Sequence, residues 1–321
     1  MDESKNYKYN VHYPSLAAAG LAFLIGLMTQ LFIVVVNIMD WVKGRPKSPV
    51  DQILTSLGIT RICLHSFSFF NAMCVIFLRR YIQNMKIFLE LIVNSSNLSD
   101  IWLGTLFSII FCMKICNFHN AAFLYFRTLV SQKVSYLMLA SVLVSICFIS
   151  MFLITDEIII PKVFPPNFTS NETQIPVLIH VYIFITMGNS MPFLIYCTSS
   201  LFLIASLCLH LNRMKTNSNV STNLDSYYKA IQFMAVCLIS YVFRIGTNLL
   251  VLRLYYSLDI LWLFIIWNSV AILNSMYLIY RTNKLSNQFS KILRHGTNYM
   301  FNRRDSVTNY GDQEETATTT M

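Results

Sequence analysis

The side chains of this sequence that could do chemistry are few, and they stand inside long apolar runs. They are Arg61, His65, Asn71, Asn97, Asp100, Lys114, Asn117, Arg244, Asn248, Asn268 and Asn274. Catalysis would need an acid, base or nucleophile with a partner at hydrogen-bond reach. No HExxH pattern occurs, and no two acids recur at a helical repeat inside an apolar run. His12, His65, His119, His180, His210 and His295 are scattered. Ser190 follows Gly188 and Asn189, but no histidine is tied to it, and an isolated serine in such a run is ordinarily a packing residue. The eight cysteines form no CxxC pair, so zinc has no support. Catalytic residues, metals and cofactors are accordingly assigned as none. Binding and interhelical polar contact remain.

The elements that must position these residues follow from composition. The chain has 321 residues, 55% hydrophobic and 12% charged, with mean hydropathy +0.54. Soluble domains carry about 25% charged residues, so this is a membrane protein. A net charge of +9 could suit nucleic acid, but no nucleic-acid motif is present. Basic residues also collect on the cytoplasmic side of membrane proteins. A span needs about 20 predominantly apolar residues. Candidates lie near 15–37, 50–78, 87–114, 134–155, 175–209, 230–252 and 258–280. The expected fold is an all-α membrane protein, a bundle of seven transmembrane helices. The fifth run is longer than one bilayer and should project beyond it.

Orientation follows from the basic residues. Lys43, Arg45 and Lys47, then Arg127 and Lys133, then Arg213, Lys215 and Lys229, and a set after the last run all fall on one side. That side carries about twice the Lys and Arg of the other, so it reads as cytoplasmic. The N-terminus is then outside and the C-terminus inside. Two sequons, Asn167-Phe-Thr and Asn171-Glu-Thr, fall in an outer loop, where glycosylation occurs. Asn219-Val-Ser falls inside and should be unused. No cleavable signal peptide is evident, because the first apolar run is long enough to span. After the last run, Leu285, Phe289, Ile292 and Leu293 recur at helical spacing beside Lys284, Lys291 and Arg294. That pattern suits a short amphipathic helix on the inner surface. The expected organisation is an extracellular N-terminus over 1–14, a receptor domain with its amphipathic helix over 15–304, and a disordered cytoplasmic tail over 305–321.

An ionisable group inside a membrane faces the bundle interior and marks function or a polar network. Arg61 and Lys114 fall in the inner halves of their spans and read as network members. Asn97, Asp100, Arg244 and Asn248 fall nearer the outer halves. There they either line a ligand pocket or pair among themselves, Arg244 with Asp100 or Glu90. Tyr241, Arg244 and Asn248 recur at i, i+3, i+7 and share one helix face.

Longer motifs then narrow the reading. DWVKGR followed by Leu54-Thr-Ser-Leu57-Gly58-Ile-Thr60-Arg61 resembles LxxLAxSR of the bitter taste receptor (taste receptor type 2) family. Gly58 stands for Ala and Thr60 for Ser. Lys114-Ile-Cys-Asn117-Phe118-His119-Asn120, running on to Phe123-Leu-Tyr-Phe-Arg127, resembles KIAxFSNxxFLxLK. Pro192-Phe193, Ser199, Leu203-Ile204, Ser206-Leu207, His210 and Met214 match the family's fifth span. Spans one, six and seven depart more, with Gln30 for Asn, Tyr227 for His, Gln232 for Lys and Asn274-Ser275 for His-Ser.

This resemblance to a family of G-protein-coupled receptors covers nearly the whole chain. It implies small bitter compounds bound between the helices from the outer side, and a heterotrimeric G protein of the gustducin type that raises intracellular calcium. The other implied partner is membrane lipid, with oligomerisation left open and no nucleic acid. The implied location is the plasma membrane, as a multi-pass protein. By position, the ligand-binding residues are Val93, Asn97, Gly188, Tyr241, Arg244, Asn248 and Phe264. The activation network is Gln30, Arg61, Lys114 and Tyr241. Arg127, His210, Arg213 and Lys215 face the G protein. Arg244 is expected to favour anionic ligands unless it is neutralised internally. A vomeronasal type-1-like pheromone receptor is the alternative, although such a receptor is expected to carry an extracellular disulfide.

Overall fold

A computed structural model describes residues 13–46, 48–77, 83–115, 121–155, 174–216, 224–254 and 259–294. All regular structure among them is helical. In chain order the helices are α1 (Tyr13–Val42), α2 (Pro49–Phe77), α3 (Gln83–Ile115), α4 (Ala121–Gln132) and α5 (Val134–Ile154). There follow α6 (Gln174–Thr216), α7 (Leu224–Leu254), α8 (Ile260–Arg281) and α9 over 283–294. Seven of these, all except α4 and α9, are long and apolar enough to cross a membrane. They match the seven expected spans, and α6 runs for 43 residues, longer than a bilayer needs. The helix α4 was not expected. Its 12 residues are too few to register as a span.

The chain divides into two compact units, Met1–Ser275 and Met276–Met321. Within the first, α2 packs against α1 and α3, α3 against α5 and α6, and α6 against α7. The medium shows in which faces are buried. On α1 the buried set includes Ser15, Ala19, Gly26, Gln30, Asn37 and Asp40. Its exposed set includes Leu21, Leu24, Met28, Leu31, Val35 and Ile38. Polar residues inside and leucines outside reverse the pattern of a water-soluble helix and suit lipid.

Local signals set the helix ends. Gly44 has φ +76°. The Arg45 N–H donates to the Asp40 carbonyl and the Gly44 N–H to that of Trp41, each at 3.1 Å. Those two bonds form a Schellman stop, which needs the left-handed conformation glycine adopts readily. At the start of α2 the Ser48 hydroxyl accepts from the Asp51 N–H at 3.1 Å, with Pro49 in the first position. In α6, Pro192 sits mid-helix. It lacks the N–H that would reach the Gly188 carbonyl four residues back.

In the second unit, helical bonds continue across residue 282, from the Thr282 N–H to Leu278 and from the Ser286 N–H to Thr282. In α9 Leu285 is buried, while Phe289, Ile292 and Leu293 are exposed beside Lys291 and Arg294. The expected helix after span seven is present at that place.

Candidate functional site

The third span carries the centre of the site. Asn97 and Asp100 lie one turn apart on α3 and so share a face. The Asp100 carboxylate is buried and receives two guanidinium groups. Arg61 Nε, from α2, donates to Oδ1 at 2.7 Å. Arg244 Nη2, from α7, stands 2.8 Å from Oδ2. The same Nη2 donates to Asn97 Oδ1 at 2.9 Å. All three charged residues are at most 5% exposed. A lone charge at this depth would be costly, and the carboxylate between them offsets that in part for each cation.

The network continues to α8 and α1. Arg61 Nη1 donates to Ser275 Oγ at 2.7 Å. Gln30 Nε2 donates to the same oxygen at 2.6 Å. The Ser275 hydroxyl in turn donates to the Ala271 carbonyl, at 2.9 Å. Gln30 and Arg61 therefore meet through a serine rather than directly. Five spans thus contribute to one continuous polar cluster.

Beside it lies an aromatic floor. Tyr241 stacks on Tyr196 with ring centroids 3.9 Å apart and planes 3° apart. Phe193 stacks further off, at 6.2 Å. The Tyr241 hydroxyl is 3.3 Å from Thr105 Oγ1, which also donates to the Pro192 carbonyl at 3.1 Å. Ser108 Oγ lies 2.8 Å from both Ser199 and Ser200. The floor is thereby tied between α3, α6 and α7.

Several buried polar atoms here have no hydrogen-bond partner. They include Arg244 Nε and Nη1 and both amide atoms of Asn248. Buried polar groups are nearly always paired, so these groups on one face of α7 are free to take a further partner.

The expected site residues separate into groups. Asn97, Arg244, Arg61, Gln30 and Tyr241 belong to the connected cluster and its floor. Asn248 lies one turn beyond Arg244. Val93 is buried one turn from Asn97, and Phe264 is buried against Ala19, Ala72 and Leu261. Phe264 also meets Phe69 edge-on at 5.6 Å.

Gly188 has a packing reason to be glycine. A Cβ there would come within 2.6 Å of the Phe148 ring on α5. Lys114 is exposed in the last turn of α3. Fourteen residues separate it from Asp100, or about 21 Å along the helix, so it is not brought into the cluster. Arg127 lies half-buried on α4. The side chains of His210, Arg213 and Lys215, and the whole of Asn167 and Asn171, lie outside the described residues. Ser275 was missed as a hub. Its only sequence signal was its place in the Asn274-Ser275 motif.

The profile of the taste receptor protein family (TAS2R) matches residues 10–297. The chain belongs to the taste receptor type 2 family. It is 30% identical over 258 residues to taste receptor type 2 member 4 of Gorilla gorilla gorilla, covering 77% of this chain and 85% of that one. Taste receptor type 2 member 4 of Homo sapiens matches with the same identity and coverage. Taste receptor type 2 member 50 of Homo sapiens is 29% identical over 285 residues, covering 84% and 93%. The matched taste receptor profile decides against the vomeronasal alternative. A taste receptor type 2 is a G-protein-coupled receptor, not an enzyme, and works with a ligand and a G protein. The seven long apolar helices make this one a multi-pass membrane protein.

Proposed function

We propose that this receptor sits in the plasma membrane with its N-terminus outside and binds small bitter compounds among the outer halves of its helices. Arg244, Asn248, Val93, Tyr241 and Phe264 line or floor that site. Gly188 shapes it indirectly, by letting α6 approach Phe148. Bound ligand activates a gustducin-type heterotrimeric G protein through an inner face that includes Arg127, His210, Arg213 and Lys215, and intracellular calcium rises. A ligand shifts a receptor only by binding its active packing better than its resting one. The observation that supports this reading best is the shared Asp100 carboxylate. It joins the ligand-side Arg244 to the Arg61–Ser275–Gln30 chain, so one network reports ligand contact to three further spans.

The test is calcium release in cells carrying the receptor with a gustducin-type α-subunit and a broad panel of bitter compounds. Responses that require both receptor and α-subunit are expected. A response that persists without the α-subunit, or no response to any compound by surface-exposed receptor, would contradict the proposal.

A further inference from the structure

We infer that the ligands this receptor accepts best are amphipathic organic acids with one carboxylate, held by Arg244 and Asn248. The inference rests on the ligand site proposed above and names the chemical class it takes. Guanidinium has five N–H donors. Arg244 Nη2 uses its two on Asp100 and Asn97. The Nε hydrogen and both Nη1 hydrogens have no partner, although the residue is only 5% exposed. Asn248 stands four residues on, about 6 Å along the helix and on the same face. It is 7% exposed, and both its amide atoms lack partners. A cation and a neutral amide thus share one face of α7, one turn apart.

Charge points the same way. The cluster holds two arginines and one aspartate, a surplus of one positive charge. Among the described residues the buried acids are Asp40 and Asp100. Asp40 is paired with Arg45 at the far end of α1, at 3.0 Å. Glu90, the other acid expected for Arg244, lies 3.7 Å from Lys86 on its own helix. His65, within electrostatic reach of Arg61, Arg244 and Asp100, supplies no negative charge in either protonation state. A monoanion balances the surplus, whereas a dianion overshoots it. Tyr241, one turn before Arg244 on α7, and Val93, one turn before Asn97 on α3, favour a carboxylate attached to an apolar or aromatic body.

The experiment uses the full-length receptor in the calcium assay, with matched pairs of aromatic carboxylic acids and their primary amides. Acids should be about tenfold or more the more potent, as a hydrogen bond to a charged group implies. Arg244→Gln keeps a neutral Arg61–Asp100 pair. In purified receptor it should abolish the acid advantage, read as the ratio of acid to amide affinity. Asn248→Leu, which changes no charge, should weaken acids about tenfold by the same reasoning. In parallel, thermal unfolding of purified receptor is followed with an acid and with sodium chloride. The acid should stabilise at far lower concentration.

Equal potency of acids and amides on the unmodified receptor would overturn the inference, and so would an acid advantage that survives Arg244→Gln. Stabilisation by chloride equal to that by acid would make this an inorganic-anion site and overturn it too. Responses to amides that depend on the G protein, without acid preference, would sink this inference alone. Silence toward every compound would sink the proposed function with it.

Discussion

Arg61 on the second span and Arg244 on the sixth each bind a different oxygen of one Asp100 carboxylate, at 2.7 and 2.8 Å. This relation fixes three spans at one point. It also couples Arg61 of the Leu54–Arg61 motif to Arg244 of the proposed ligand site. A movement that draws Arg244 toward a ligand changes how much of the carboxylate is left for Arg61.

Ser275 is the next joint in that chain. Ser275→Ala would leave Gln30 Nε2 and Arg61 Nη1 without their shared acceptor. Unsatisfied buried donors cost about 1–3 kcal/mol each, so the thermal midpoint of the purified receptor should fall clearly. Adding Gln30→Leu removes one orphaned donor and should recover part of the loss. An unchanged midpoint in Ser275→Ala would show that the hydroxyl does not hold the joint.

Gly58 sets how closely α1 and α2 approach. A Cβ at Gly58 would lie 2.6 Å from Val34 Cγ2. Valine has little rotamer freedom to yield, so Gly58→Ala should destabilise by about 1–3 kcal/mol through overpacking. Val34→Ala in the same chain makes room. The double variant should unfold at a higher temperature than Gly58→Ala alone, and additive losses would contradict the contact.

Much of this was legible in the sequence, for physical reasons. Each span exceeds the length a bilayer needs, so seven helices could be read from apolar runs alone. Their ends were less clear. The first helix runs to Val42, beyond the expected 37, because Asn37 and Asp40 look like loop residues but are buried, and Gly44 makes the stop. Arg244 could be expected to pair with Asp100 or Glu90. Those acids are ten residues apart on α3, about 15 Å, and only the relative placement of α3 and α7 selects Asp100. Ser275 and Gly188 were harder still. A serine in a span usually bonds its own helix, and the closeness of Phe148 to Gly188 exists only in the packed bundle.

The proposed orientation has its own test in the sequons. With the N-terminus outside, Asn167 and Asn171 face the glycosylation machinery and Asn219 does not. An endoglycosidase should increase the gel mobility of the receptor. Asn167→Gln with Asn171→Gln should already run at that mobility, while Asn219→Gln should behave as the unmodified chain. A receptor that loses its sugar with Asn219→Gln would reverse the proposed orientation.

The most direct measurement compares the thermal midpoints of Asp100→Asn and Arg244→Gln in purified full-length receptor. Asp100→Asn leaves two buried guanidiniums with no acid between them, and removing one partner of a buried pair costs about 3–5 kcal/mol. Arg244→Gln leaves one arginine with one aspartate, a balanced pair. The shared carboxylate therefore predicts that Asp100→Asn unfolds at a markedly lower temperature than Arg244→Gln. An Asp100→Asn receptor as stable as Arg244→Gln, or more stable, would contradict it.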